Sequence, residues 1–185
     1  MTQAIRKAGS QLLRLCMLTA ATATAAGAAL ADDCRDAALV ANPAAETLCS
    51  DAIARQSYRD TAAAPDAAGE GSDRLALAAA YNNRAMARIA AGNLTGAAED
   101  LGEAMSLAPD HWAIYLNRGN LHLAENQPQA ALADYARARA LAASTGRAVS
   151  ADAAVLKNAV LAYRALGDLG RASASLIEAE SVSLR

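Results

Sequence analysis

Residues 81–104 read YNNRAMARIAAGNLTGAAEDLGEA, and residues 115–138 read YLNRGNLHLAENQPQAALADYARA. The two stretches share residues at a constant offset of 34, namely Asn83 and Asn117, Arg84 and Arg118, Asp100 and Asp134, and Ala104 and Ala138. The same spacing returns from Asn158 to Ala179, displaced by seven further residues. A period of about 34 residues, made of two helical segments, is typical of a helix-turn-helix solenoid. Such arrays present a long concave surface to a partner and usually carry no chemistry of their own.

The amino-acid composition favours the same fold class. Hydrophobic residues make up 54% of the chain, but much of that share is alanine, Phe is absent and aromatic residues total 3%. Alanine can fill only the narrow gap between closely approaching helices, so such a core fits all-helical packing. The net charge of −2 and the pI near 5.7 give no basic surface for nucleic acid, which is therefore not an expected partner.

The first 31 residues have the parts of a secretory signal peptide. The start is positively charged, an apolar run covers residues 15–30, and a small-x-small cleavage site ends at Ala31. We predict cleavage after Ala31, which would give a periplasmic protein beginning at Asp32 without stable membrane insertion. An uncleaved signal anchor is the alternative.

Two cysteines remain after that cleavage, Cys34 and Cys49. An even pair in an oxidising compartment indicates a disulfide, while two free buried thiols are the alternative. Cys34 falls on a short predicted helix over residues 33–40 and Cys49 on a second one over residues 43–58. We predict that the disulfide holds this N-terminal helix pair, residues 32–60, together.

The rest of the chain divides into a linker and three helix pairs. Residues 61–72 contain Pro65, Gly69 and Gly71, which we expect to break any helix, so this segment is predicted to be a linker. Residues 73–185 form the predicted repeat domain, with repeats at about 78–110, 111–144 and 150–184. The predicted helices are 73–91 with 94–107, 111–124 with 128–143, and 150–166 with 169–183.

These repeats resemble tetratricopeptide repeats. Small residues stand where two helices of that family cross closely, at positions such as Ala85, Ala97, Gly119 and Ala131. The string Tyr81-Asn82-Asn83-Arg84 followed by Ala97-Ala98-Glu99-Asp100 is similar to a bacterial exported subgroup that reads YNNRG…AxxD. The resemblance implies an all-α, right-handed superhelical solenoid of antiparallel helix pairs, here three repeats plus the degenerate N-terminal pair. The third repeat departs most from the family pattern.

Two charged pairs recur between repeats. Arg84 occurs with Asp100 and Arg118 with Asp134, whereas the third repeat has Ala159 and Ser175 at those positions. Because both charges disappear together, we expect structural ion pairs between the two helices of a repeat. The alternative is that the arginines contact a ligand.

No catalytic motif is present in the sequence. Neither G-x-S-x-G nor H-E-x-x-H nor a phosphate-binding loop occurs. We expect His111 to be exposed at a helix start and His122 to be a satisfied core histidine. The sequence therefore predicts a protein that is not an enzyme, with no cofactor and no metal.

The predicted binding site is the groove formed by the first helix of each repeat. By the repeat register its residues are Asn82, Asn83, Met86, Ile89, Leu116, Asn117, Asn120, Leu123, Lys157, Asn158, Leu161 and Arg164. Asn83, Asn117 and Asn158 recur at one position and form a ladder of amides. Such amides could bind the backbone of a peptide, or they could orient the neighbouring helices.

Three functions are compatible with these features. The first is a non-catalytic scaffold or assembly factor of the bacterial cell envelope that binds a peptide or helix of a partner protein. The second is a self-associating structural protein that pairs as a homodimer through its C-terminal helix, where Leu176, Ile177 and Val182 lack a following polar helix. The third is an accessory subunit of an envelope enzyme complex.

Overall fold

The computed structural model of the protein describes residues 33–38, 44–62 and 70–183. Within these ranges the chain is helical and has no strand, which confirms the predicted all-α fold. The predicted signal peptide lies outside the described residues. Among the described residues, no helix has the length and apolar content needed to cross a membrane. The helices are α1 (33–38), α2 (Ala45–Ala62), α3 (Glu70–Ala90), α4 (Leu94–Leu107), α5 (Trp112–Ala124), α6 (Pro128–Ser144), α7 (Ala148–Ala165) and α8 (Leu169–Ser183).

The helices pack as hairpins stacked along one direction. Helix α3 packs on α4, α5 on α6 and α7 on α8, while α4 also contacts α5 and α6 also contacts α7. Helix α5 packs against both α3 and α7, whereas among the described residues α4, α6 and α8 meet only through the ion pair of Arg139 on α6 with Glu178 on α8, at 3.0 Å. The side of α3, α5 and α7 is therefore the tighter, concave side of the solenoid. We call these three the inner helices and α4, α6 and α8 the outer helices. The right-handed sense of the superhelix stays a prediction.

Each hairpin turn contains one residue with left-handed backbone geometry. Gly92, Asn126 and Gly167 have φ angles of 79°, 59° and 74°. They stand at equivalent register positions, just after the inner helix of each repeat. Glycine adopts this conformation freely and asparagine tolerates it, which explains why these residue types end the inner helices.

Small side chains let the two helices of each repeat approach closely. Ala97 and Ala131 are fully buried where the outer helix crosses the inner one. Gly119 shows the limit of this packing, because a Cβ atom added there would lie 2.7 Å from Cδ1 of Tyr135. Leu101 and Tyr135 fill the remaining space, each with 1% exposure. The alanine-rich composition is thus the physical basis of the close packing.

The N-terminal helix pair extends the stack. The predicted disulfide between Cys34 of α1 and Cys49 of α2 is present, with the two Cα atoms 4.7 Å apart. Ala37 of α1 packs with Ala45 of α2 and Ala87 of α3. Helix α1 therefore lies beside α3 as a short first inner helix, and α2 acts as its outer helix.

The helix boundaries differ from the prediction on both sides of the linker. Helix α2 continues to Ala62, and α3 already begins at Glu70, so the predicted linker 61–72 is too long at both ends. The expectation that Gly71 breaks the helix is wrong. It lies in the first turn of α3, where backbone N–H groups have no partner within the helix, so a glycine costs little there.

Candidate partner-binding surface

The recurring charged pairs join the inner helix of a repeat to its outer helix. Arg84 donates two hydrogen bonds to Asp100, at 2.9 Å from Nε and 2.7 Å from Nη2. Arg118 contacts Asp134 in the same way, at 2.8 and 2.5 Å. The hydrogen bond to the carboxylate raises the pKa of each arginine. Both arginines therefore point away from the concave side and into the repeat, where they fix the angle between two helices.

A second basic group reaches each of these carboxylates. Arg88 lies with Nη1 3.0 Å from Oδ2 of Asp100, and it also bonds Glu46 of α2 at 2.9 Å. His122 occupies the equivalent position in the second repeat, with Nε2 3.5 Å from Oδ2 of Asp134. The expected core location of His122 is wrong, because its side chain is partly exposed beside Asp134. The chain accepts histidine there because the carboxylate already has a bidentate arginine.

His111 also differs from its prediction. It is half-buried at the N-terminus of α5 rather than exposed, and its ring stacks on that of Trp112. Burial lowers the pKa of His111, and the nearby positive charge of Arg147 lowers it further. No group of three His, Cys, Asp or Glu residues in the described part of the chain could hold a metal ion.

Asparagine side chains connect the three inner helices through one continuous set of hydrogen bonds. Nδ2 of Asn117 donates to Oδ1 of Asn82 at 2.9 Å, which joins α5 to α3. Nδ2 of Asn158 donates to Oδ1 of Asn120 at 2.9 Å, which joins α7 to α5. Asn120 donates to Asn117 at 3.3 Å and accepts a bond from the Tyr135 hydroxyl at 2.9 Å. We call Asn82, Asn117, Asn120 and Asn158 the asparagine chain.

The asparagine chain differs from the predicted ladder. Asn83 is not part of it, and its side chain makes no hydrogen bond to any described residue. Asn117 is 4% exposed and has both its amide oxygen and its amide nitrogen engaged by other asparagines. Of the two interpretations left open by the sequence, the geometry favours helix orientation for Asn117, because a buried and bonded amide offers nothing to a ligand.

Several residues of the predicted groove instead face the next repeat. Ile89 packs in the cluster of α3, α4 and α5, while Leu116 and Leu123 pack in the cluster of α6 and α7. Their equivalents in the last repeat are Lys157 and Arg164, which are exposed because no described helix follows α7 and α8. These positions, together with Asn82, are contacts between repeats in the first two repeats and become free surface only in the third.

The residues that line the concave side lie on a different face of each inner helix from the residues that contact the next repeat. They lie roughly opposite Arg84 around α3, at 100° per residue, and at equivalent positions around α5 and α7. All of them are partly or fully exposed. We call them the concave floor. Its central row is Met86, Asn120 and Leu161. One alanine row is Ala79, Ala113 and Ala154, and the other is Ala90, Ala124 and Ala165.

The alanine rows were not identified from the sequence, although the register contains them. They recur at the same offsets as the asparagines, but so do the buried alanines that pack between helices. Only exposure separates the two sets, and exposure follows from how the helices are rotated. The predicted groove therefore contributes three residues to the floor, Met86, Asn120 and Leu161, and misses the six alanines.

Residues 78–111 match the family model of the tetratricopeptide repeat. The matched segment contains α4 and most of α3, together with the first Arg–Asp pair. It supports the resemblance found in the sequence, and the other two repeats follow from the register and from equivalent helix packing. No curated protein matches the chain at a significant level. The fold and the match define a helical repeat protein, and tetratricopeptide repeats are generally non-catalytic modules for protein–protein interaction.

Proposed function

We propose that this protein is a non-catalytic interaction module whose concave floor holds an α-helix of a partner protein. The observation that carries this proposal is the asparagine chain. Its amides bind one another, and two of them, Asn82 and Asn117, are buried. What remains for a partner is a floor of alanine and apolar side chains.

A helix suits this floor better than an extended peptide. An extended peptide needs partners for its backbone N–H and C=O groups, and a floor of alanine, methionine and leucine supplies none. The single polar residue of the central row, Asn120, is engaged by Asn117, Tyr135 and Asn158. A helix satisfies its own backbone hydrogen bonds and needs only apolar contact.

The small side chains also favour close helix packing. Helix axes approach to about 8 Å only where the contacting side chains are small. The rows of exposed alanines on both sides of Met86, Asn120 and Leu161 provide such a surface. The exposed basic residues Lys157 and Arg164 border Leu161, so the partner helix should carry an apolar face with acidic residues near the third repeat.

We further propose that the protein works in the bacterial periplasm, as a scaffold, an assembly factor or an accessory subunit of an envelope complex. The signal-peptide pattern and the Cys34–Cys49 disulfide support an oxidising compartment. Intact mass of the protein from its native host tests this location. We expect a product that begins at Asp32, and a product that retains residues 1–31 contradicts cleavage.

The binding proposal is tested with bulky substitutions at matched alanines. Ala124→Trp places a large side chain on the concave floor, whereas Ala98→Trp places one on the exposed face of outer helix α4. The mature protein and both variants are used to capture partners from an envelope extract, and each captured protein is identified by mass spectrometry. We expect Ala124→Trp to lose a specific partner that Ala98→Trp retains, with unchanged helical circular dichroism in both.

The form of the ligand is tested on the captured partner. Cross-linking identifies its bound segment, which is then made as a peptide. A proline placed inside that segment should abolish binding, because it removes a helix hydrogen bond and costs about 3 kcal/mol in a helix interior. Equal capture by Ala124→Trp and Ala98→Trp contradicts the site, and unchanged binding of the proline peptide contradicts a helical ligand.

A further inference from the structure

Large apolar side chains are exposed mainly at the end of the last repeat. Leu169 and Ile177 of α8 are 66% and 67% exposed, and Leu161 of α7 and Leu176 of α8 are also exposed. In the described part of the chain, Leu75 is the only large apolar residue exposed to this degree outside the last repeat. Large exposed apolar side chains concentrated on two packed helices indicate an interaction site.

The repeat register shows what this patch would normally carry. Leu176 is the equivalent of Leu101 and Tyr135, which are buried where the next inner helix packs against them. Leu161 is the equivalent of Asn120, which bonds the next inner helix through Asn158. The surface of α7 and α8 that carries Leu161, Leu169 and Leu176 is therefore built to receive further helices. We call it the terminal face.

Charged residues border the terminal face with opposite signs on its two helices. On α7, Lys157 and Arg164 stand where the second repeat has Leu116 and Leu123. On α8, Glu180 stands where α6 has Arg139, the residue that bonds Asp152 of the following helix at 2.9 Å. Lys157, Arg164 and Glu180 are exposed, and none of them forms an ion pair with a described residue.

We propose that the terminal face binds a second copy of this chain. A two-fold axis parallel to the helices would place α7 of each copy over α8 of the other, in antiparallel orientation. Gly167 marks the turn of the hairpin, so Lys157 lies level with Ile177, ten residues away on each side. Glu180 lies about one turn further along α8.

This arrangement makes the terminal face complementary to itself. Lys157 of each copy comes next to Glu180 of the other, and the contact occurs twice because the interface is isologous. Leu161 of each copy faces Leu176 of the other across the axis. A two-fold pair therefore brings Lys157 and Glu180 together and covers Leu161 and Leu176 with one operation. A helix of unrelated sequence would do so only if it carried the same pattern.

The dimer is tested by sedimentation of the full mature chain over a range of concentrations. We expect a reversible dimer and an increase of about tenfold or more in its dissociation constant for Leu176→Glu, because two buried leucines are lost per dimer. Leu75→Glu is the matched control, since Leu75 and Leu176 are both 47% exposed and Leu75 lies on α3, far along the chain from the terminal face. The control should dimerise like the natural protein.

Charge reversal separates this interface from unspecific apolar association. Lys157→Glu and Glu180→Lys should each weaken the dimer, and the double variant should restore it, because the exchanged charges attract each other again. A natural protein that stays monomeric at every concentration overturns the proposal. So does an equal loss of dimer affinity in Leu75→Glu and Leu176→Glu, or a double variant that dimerises more weakly than either single variant. The dimer shares Leu161 and Lys157 with the proposed partner site, but sedimentation is done on the chain alone, so a monomeric result overturns the dimer and leaves the binding proposal to its own capture experiment.

Discussion

The sharpest test of the site is the substitution Asn117→Ala. It removes the bond to Oδ1 of Asn82 and the bond from Nδ2 of Asn120. Asn82 is buried, so its oxygen loses a partner that water cannot easily replace, at a cost of about 1–3 kcal/mol. Asn120 is partly exposed and can bind water, so its loss is smaller. Alanine also has a higher helix propensity than asparagine, and this gain offsets up to about 0.7 kcal/mol of the cost of the lost hydrogen bonds.

Asn83→Ala is the control that isolates the hydrogen bonds. Asn83 has the register position on α3 that Asn117 has on α5, and its side chain has no bond to a described residue. Its change to alanine brings the same gain in helix propensity. The difference in unfolding free energy between the two variants should be about 2 kcal/mol, which corresponds to about 4–8 °C in Tm for a chain of this size. Thermal unfolding followed by circular dichroism measures it. Equal Tm values for the two variants, with weaker partner binding by Asn117→Ala alone, would refute the helix-orienting role.

Two further predictions concern the packing of the helices. Reducing the Cys34–Cys49 disulfide should lower the free energy of unfolding by about 3 kcal/mol, because the bond closes a loop with a sequence separation of 15. Thiol labelling of the denatured, unreduced protein should find no free thiol in the mature chain. Two labelled thiols would contradict the bond. Gly119→Ala should cost about 1–3 kcal/mol, because its Cβ would meet the ring of Tyr135. Gly102→Ala, on an exposed helix face with open space around it, should instead gain about 1 kcal/mol. Urea titration measures the free energy of unfolding of both glycine variants. Equal effects of the two glycine variants would show that the contact with Tyr135 is not limiting.

The sequence predicts the helices well because their signals are local. Gly92, Asn126 and Gly167 end the inner helices by backbone geometry that few other residues adopt, so the hairpin turns are identified without tertiary information. The buried alanines recur at one offset and indicate where helices cross. The prediction at Gly71 is wrong because glycine disfavours a helix interior but is tolerated in the first turn, and the sequence alone does not say where that turn begins.

The site itself is less predictable. A helical period tells which residues share a face, but not which neighbour that face meets. Ile89, Leu116 and Leu123 share the face of the predicted groove and pack against the next repeat, whereas the exposed alanines line the concave side. The rotation of each helix about its axis decides between these outcomes, and it is set by packing against three neighbours at once.

The sequence by itself determined the repeat period, the helix pairs, the disulfide partners and the residues of the charged pairs, because each depends on spacing along the chain. Only the tertiary structure decided that the asparagines bond one another across inner helices. A hydrogen bond from Asn117 to Asn82 spans 35 residues and depends on the stagger between two repeats to within a fraction of an ångström. That stagger results from the close contacts of alanine and glycine side chains over the whole stack, and no single residue encodes it.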